Sequence, residues 1–341
     1  MQHIFHSLVL RFYVILALAV DGLSLNAGKK GMILGDYHYI FGPVPSRRMG
    51  LSLGVSPIPQ KLCNYSCVYC QLGRTKTKRR RREAYCPVEE ILTEANNYLM
   101  GNHPLDVVTI VGEGEPTLYL HVGELIKGLK SLTVKPIAVI TNGSLLFEET
   151  VREELFEADI VLPSLDAYDE DTFKKINRPL GLLSFKQVFQ GLKAFSDEFQ
   201  GELWLETMLV RGLNDDDESL AQFKILLGKL NYDRLYLNIP LRPPAEPWVE
   251  APTPESLEKA VALLKGTAID RAITGGFSSE IEDDFTAVAS IIKRHPMNQH
   301  EIKSFLEKRG CLDDHAVFRK LSRSPKVQII TYKDYKTYRG V

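Results

Sequence analysis

Six short apolar runs, spaced by amphipathic stretches of helical length, constrain this 341-residue chain more than any other feature. They are LSLGVSP (51–57), VVTIVG (107–112), IAVIT (137–141), DIVLPSL (159–165), LWLETMLV (203–210) and RLYLNIPL (234–241). Each is nearly continuous in apolar residues, as strands of a parallel sheet buried on both faces are. Between them, CPVEEILTEANNYLM, LHVGELIKGLKSL, FEETVREELFE, SFKQVFQGLKAFSDEF and DESLAQFKILLGKL place apolar residues three to four apart, the period of a helix face. Pro87 falls at an N1-like position of the first helix, with acidic residues in the turn after it. Six successive βα units predict an α/β fold, a partial (βα)6 TIM-like barrel that is too short to close. In such sheets ligands bind beyond the carboxyl ends of the strands, so function is expected in the strand-end loops.

The two ends of the chain depart from this pattern. FYVILALAV (12–20) is apolar for nine residues, bracketed by Arg11 and Asp21, whereas a membrane helix needs about 18–20. Gly28-Lys29-Lys30-Gly31 requires purine-rich codons, as a bacterial ribosome-binding sequence does, and Met32 follows it. Residues 1–31 are therefore expected to be a non-structural or mis-assigned extension. The barrel is expected over 32–270 and a linker over 271–284, within GGFSSEIEDD. FTAVASIIKR, NQHEIKSFLEKRG and DHAVFRKLSR then read as three helices, with Asn298 as N-cap and Gly310 as a stop. KVQIITYKDYKTYRG reads as a hairpin turning at Lys333-Asp334. Three helices and a hairpin predict a winged helix-turn-helix module over 285–341. From Phe285 onward, 12 Lys and Arg stand against five Asp and Glu. That charge suits nucleic acid, a docking protein or merely a solvated basic face.

Cys63, Cys67 and Cys70 concentrate three thiols directly after the first strand, in a chain with five cysteines. An odd group cannot pair into disulfides, and five cysteines are too few for a disulfide scaffold at this length. A structural zinc site takes four ligands, and no fourth Cys or His lies nearby in sequence. A 4Fe–4S cluster normally takes four thiolates, so three ligands would leave one iron open, the mark of a catalytic metal. A three-Cys zinc site completed by a distant His, or reduced core cysteines, are the alternatives; Asn64, Tyr65 and Ser66 make the segment loop-like. The net charge of −1 points to no polyanionic partner for the chain as a whole.

The spacing C-x3-C-x2-C, with Tyr69 before the last cysteine, resembles the cluster motif of radical S-adenosylmethionine (SAM) enzymes. That family has a partial (βα)6 barrel, and the amino and carboxylate groups of SAM chelate its open iron. GEGEPTL (112–118) resembles the family's Gly-Gly-Glu-Pro segment at Gly114, Glu115 and Pro116, which holds the methionine amino group; Glu113 stands where that pattern often has Gly. The resemblance implies a 4Fe–4S cluster on Cys63, Cys67 and Cys70, with Tyr69 against the SAM adenine. It implies further SAM contacts from Thr141 and Asn142 at the third strand end, and from Ser164 and Asp166 at the fourth. Short polar side chains at strand ends also serve as helix N-caps. LVRGLND, after the fifth strand, resembles the segment beside the adenine. The chemistry implied is reductive cleavage of SAM to a 5′-deoxyadenosyl radical that abstracts hydrogen from a substrate. Such chemistry implies a reductant such as flavodoxin or ferredoxin and a reducing cytoplasm.

FGPVPSRRMGLSLGVSPIPQKLCNYSCVYCQLGRT, NRP (177–179) and NIPLRPPAEPWV are similar to the branch grouped with wyosine-base (tRNA) synthases, over about residues 40–250. Those synthases carry extra cysteines for a second cluster. Here only Cys86 and Cys311 remain, far apart, so the implication stops at the shared chemistry. Arg47 and Arg48 before the first strand could hold a carboxylate or phosphate, or form surface ion pairs. Glu206 and Asn238 face either the barrel lumen or the packed core. Lys76, Lys78 and Arg79 to Arg82 either grip a phosphate backbone or form a solvated loop. The substrate is left open, with RNA or protein as candidates. The competing expectation is an iron–sulfur sensor that binds DNA through its winged helix. No membrane partner is expected, and the oligomeric state is left open.

Overall fold

The computed structural model describes residues 37–101, 103–269, 276–279 and 281–341. The expectation for residues 1–31 lies outside these, as do positions 270–275 and 280 of the expected barrel end and linker. Among the described residues no helix is long and apolar enough to cross a membrane.

One eight-stranded sheet organises the chain. Its strands are β1 (Ile40–Ser46), β2 (Gly50–Val55), β3 (Val107–Ile110), β4 (Ile137–Thr141), β5 (Ile160–Pro163), β6 (Glu202–Met208), β7 (Arg234–Asn238) and β8 (Thr267–Ile269), in that spatial order. β1 runs antiparallel to β2, and every later neighbour is parallel. The six expected strands are β2 to β7. The sheet gains a strand at each edge, and both were illegible for physical reasons. β1 (IFGPVPS) carries two prolines and a glycine and tolerates them as an edge strand with a bulge between Phe41 and Val44. β8 is only three residues long. The α/β half-barrel is thus the sheet that continuous apolar strands require: all four side chains of β3 and of β5 are buried.

Among the described residues seven helices accompany the sheet: α1 (Val88–Leu99), α2 (Val122–Leu132), α3 (Glu149–Leu155), α4 (Glu170–Ile176), α5 (Phe185–Glu198), α6 (Asp217–Leu227) and α7 (Pro254–Leu264). Pro87 occupies the N-cap of α1, one residue before the expected position. The large core between helices and sheet includes Leu53, Ile91, Ile110, Leu125, Val139, Phe195 and Phe223. A smaller cluster of Val107, Ala138, Leu162, Trp204 and Tyr236 fills a second set of strand faces. Three aspartates repeat one device at strand starts. Asp106 accepts from Leu51 N, Asp159 from Ile137 N and Asp233 from Leu203 N, at 2.7–2.8 Å. Glu94, buried in α1, accepts from the backbone N–H groups of His38, Tyr39 and Ile40 and so anchors β1.

The C-terminal residues form α8 (Asp284–Arg294), α9 (Gln299–Lys308) and α10 (Asp314–Arg323), with β9 (Met297–Asn298), β10 (Val327–Tyr332) and β11 (Tyr335–Gly340) in a second sheet of order β9-β11-β10. Lys333 and Asp334, both at positive φ, make the turn between β10 and β11. The core of this module takes in Val44 of β1 and Phe277 beside Val288, Ile291, Phe305 and Leu321. Asn298 caps α9 in a capping box with Glu301. Glu301 has a second partner, since its two oxygens also receive Nη1 and Nη2 of Arg242 at 3.0 Å. Asn298→Ala removes a cap, at about 1 kcal/mol. Glu301→Ala also leaves Arg242 without its carboxylate and should cost about 3–5 kcal/mol, as breaking a buried pair does. Urea midpoints compare the two, and equal losses would disprove the barrel-to-module tie.

Candidate functional site

The cysteine loop is fastened to the segment that follows β3 before any side-chain chemistry begins. Lys61 N donates to Glu113 O at 2.6 Å, and Glu115 N to Leu62 O at 3.1 Å. Leu62–Cys63 pairs in parallel with Thr77–Lys78 across the base of the loop. A Cβ on Gly114 would lie 1.6 Å from Leu62 O, so only glycine permits this approach.

The Glu115 carboxylate, 1 % exposed, is the hub. Oε1 accepts from Thr117 N (3.0 Å), Thr117 Oγ1 (2.6 Å) and Thr141 Oγ1 (2.6 Å), and Oε2 from Asn142 N (2.7 Å). Burial raises its pKa, and these donors oppose the rise. Asn142 Nδ2 reaches Cys63 Sγ at 3.6 Å and Asn64 Oδ1 at 2.8 Å. Glu115, Thr141 and Asn142 therefore meet the cysteine loop in one network. Pro116 is buried at the start of a short 3-10 turn.

The other side of the loop is held by residues whose part was not legible. Asn177 Nδ2 donates to Cys67 Sγ at 3.5 Å and to Asp166 Oδ2 at 2.8 Å. Tyr69 Oη donates to the same carboxylate, whose other oxygen accepts from Met208 N at 2.9 Å. Burial lifts the Asp166 carboxyl to about 6, against these three donors. Asp166 thus orients Tyr69, while the cap of α4 is Asp169. Asn214, fully buried, ties LVRGLND in by donating to Asp166 O and Met208 O. Burial pushes the Cys63 thiol up to about 12 and raises Cys67 and Cys70 as well. Such thiols ionise when a metal replaces the proton.

A cavity of about 430 Å³ joins these parts. Cys63, Cys67, Cys70, Tyr69, Gly114, Glu115, Thr141, Asn142 and Ser164 line it, together with Arg47, Arg48, Glu206 and Asn238. Arg48 Nη1 meets Glu206 Oε2 at 2.5 Å, and Asn238 Nδ2 donates to Glu206 Oε1 at 3.2 Å. Glu206 and Asn238 therefore face the lumen. The basic run divides. Arg82 is buried on Glu154 and the carbonyls of Thr117, Tyr119 and Leu120, a structural role outside both expectations, and Arg80 covers Phe147.

The C-terminal module supplies cavity walls that the motifs did not announce. Arg294, His295 and Glu301 line the cavity. Arg294 Nε pairs with Glu113 Oε2 at 3.2 Å, and both side chains are 5 % exposed. Arg339 Nη1 donates to Gln71 O of the cysteine loop at 3.4 Å.

A profile of the radical SAM superfamily matches residues 58–223. The chain is 38% identical over 280 residues to a UPF0026 protein of Methanocaldococcus jannaschii, covering 79% of this chain and 86% of the relative. The chain is a radical SAM protein of the UPF0026 family. Among solved structures, it is similar to a radical SAM methyltransferase from Sphaerobacter thermophilus (21% identity, 64% of this chain and 66% of that one, TM-score 0.49). It is also similar to TYW1 with a lysine-pyruvate adduct bound (20% identity, 69% and 83%, TM-score 0.48). Radical SAM enzymes use a 4Fe–4S cluster and SAM, and they need an electron donor. The residues present in this UPF0026 chain fit those groups: three thiols line the same cavity as Glu115, Thr141 and Asn142.

Glu113, the departure from the family's glycine pattern, gains its reason from Arg294. Glu113→Ala should destabilise by about 3 kcal/mol or more, because it leaves a buried guanidinium without its partner. Glu113→Ala with Arg294→Met should recover part of that loss in urea unfolding. Strict additivity in this double-mutant cycle would show that the pair is not coupled.

Proposed function

We propose that Cys63, Cys67 and Cys70 hold a 4Fe–4S cluster by three thiolates, and that the chain performs radical hydrogen abstraction on a substrate enclosed by the barrel and the C-terminal module. The observation that carries this reading is the single cavity shared by the three cysteines, the Glu115 network and the polar lumen residues. Among the described residues no three His, Cys, Asp or Glu side chains converge to hold a single metal ion. Three thiolates suit a 4Fe–4S cluster with one iron left open.

In this reading SAM lies across the ends of β3 to β6. Gly114 lets the cysteine loop close on this strand end, Glu115 Oε2 has capacity for its amino group, and Thr141, Asn142 and Ser164 line its bed. Tyr69, fixed by Asp166, stands against the adenine. Bound there, the cluster and SAM supply a 5′-deoxyadenosyl radical by one-electron reduction, chemistry that belongs to the cofactors. The protein's part is orientation and exclusion of water and oxygen. We read the C-terminal helices and hairpin as a winged helix whose hairpin is turned onto the barrel: Tyr332 Oη and Lys333 Nζ both donate to Pro240 O, at 3.0 and 3.1 Å. That favours a wall of the active site over a DNA-reading wing. An RNA or protein substrate would enter as one protruding base or side chain.

Anaerobic reconstitution followed by dithionite and SAM should yield 5′-deoxyadenosine, even without substrate, as slow uncoupled cleavage. Cys70→Ala should lose both the 4Fe–4S absorbance and the product. An intact cluster with no SAM cleavage and cluster-dependent DNA binding would replace the enzyme by the sensor.

A further inference from the structure

The three cysteines do not share one electrostatic setting. Cys63 is one asparagine away from Glu115: Asn142 Nδ2 reaches the sulfur at 3.6 Å, and Asn142 N donates to Glu115 Oε2 at 2.7 Å. Cys67 is one asparagine away from Asp166, because Asn177 Nδ2 reaches the sulfur at 3.5 Å and Asp166 Oδ2 at 2.8 Å. Both carboxylates are buried. Cys70 has the opposite surroundings. Its turn, closed by Gly73 N on Cys70 O at 3.0 Å, carries the guanidinium of Arg339 against it. Arg339 Nη1 donates to Gln71 O at 3.4 Å, and Nη2 stands 3.3 Å from where a Cβ on Gly73 would lie. Lys61, half-buried on the cavity wall, is the second cation on this side.

Neither cation is neutralised. Arg339 is 9 % exposed, and the partner of its Nε, Gln328 Oε1 at 3.0 Å, is uncharged. Among the described residues no carboxylate pairs with Arg339 or Lys61. Burial works against both charges, and the thiolate form of Cys70 is what offsets them. A buried charge without a counter-ion is strongly disfavoured, so this pair of cations calls for an anion at Cys70. A 4Fe–4S core ligated by three thiolates is a net anion, and one-electron reduction adds a further negative charge. Its potential follows that charge and the field around it. The carboxylates beside Cys63 and Cys67 oppose the added electron. The cations beside Cys70 favour it.

We propose that Arg339 and Lys61 tune the reduction potential of the cluster, raising it by holding positive charge against Cys70. The inference rests on the reading that the three cysteines carry that cluster. One electron enters from an external donor, and no bond forms or breaks in the step. Both residues act through the cluster and are positioning residues for its charge. Arg339 belongs to β11, so the C-terminal module helps decide how readily the barrel's cluster accepts an electron.

The test is a dithionite redox titration of the reconstituted full-length protein without SAM, read by the EPR signal of the reduced cluster. Arg339→Gln keeps a donor for Gln71 O and removes the charge. It should lower the midpoint potential, leaving about tenfold less reduced relative to oxidised cluster at a fixed poise; for one electron that is about 59 mV. Lys61→Gln, on a different element, should shift it the same way, and the two together further. Arg339→Lys should stay near the wild-type value. An equal fall in Arg339→Lys and Arg339→Gln would reduce the contact to loop geometry and overturn the proposal. So would unchanged potentials in Arg339→Gln and Lys61→Gln with the 4Fe–4S absorbance intact. If Arg339→Gln does not take up the cluster, Lys61→Gln decides alone. A folded wild-type protein with no 4Fe–4S absorbance would instead sink the cysteine reading, and this inference with it.

Discussion

The barrel mouth depends on one buried carboxylate. Glu115 gathers the 3-10 turn after β3, the end of β4 and, through Asn142, the cysteine loop. Strand pairing of β3 with β4 and the backbone bonds at Lys61 and Glu115 bring these segments close, and the carboxylate ties their side chains together. A carboxylate at 1 % exposure is strongly disfavoured unless several donors converge on it. The four donors here are therefore a requirement of burial as much as a feature of the site. The same convergence fixes Asn64, whose side chain bonds both Asn142 and Ser144, and so sets the start of the loop between Cys63 and Cys67. Asp166 does the equivalent work on the other side with Tyr69, Asn177 and Met208. Two satisfied acidic hubs thus bracket three thiols.

The barrel strands were legible because a strand buried on both faces has no polar positions, and the runs at 107–110, 137–141 and 160–163 have almost none. α4 was missed because EDTFKKI has only two apolar residues, Phe173 and Ile176, and a second helix, α5, already fills the interval between β5 and β6. The Pro254 helix was missed although Thr253 and Pro254 spell a start: its N-cap follows a proline-rich loop that reads as a terminus of order. At the site, the cysteines and Gly114-Glu115-Pro116 were legible because close backbone approach and metal ligation demand particular residue types. Asn177 was singled out only within NRP, and its role was not legible, since one asparagine has many uses and its contact with Cys67 spans 110 positions. Arg82 was misplaced for the opposite reason. A basic run invites a single electrostatic explanation, yet its last residue turns inward to Glu154 and three carbonyls.

The C-terminal module presents the larger lesson about charge counts. Its excess of Lys and Arg suggested an outward basic face. Several of these charges instead point into the barrel. Arg294 goes to Glu113, Arg339 to Gln71 and Lys333 to Pro240. The traffic also runs the other way, from Arg242 of the barrel to Glu301 of α9. Apart from that of exposed Lys333, these contacts take charge out of water and need a partner held in place, so together they specify one docking geometry more than they add stability.

This bears on Glu113 in particular. A glycine there would serve the backbone of the loop equally well, because Gly114 makes the close approach to Leu62. Glu113 is buried, burial raises its pKa, and Oε1 has no hydrogen-bond partner. By itself it is a liability. Its favourable contact is with α8, through Arg294 and more distantly Lys293 at 3.9 Å. Arg294 is the residue before His295. The loop that approaches the cysteines is therefore joined, one residue away, to the imidazole that enters the cavity from the other module. Without α8, Glu113 would lose the two cations that offset its burial. The departure from the common motif is the local trace of a site that the barrel alone does not complete.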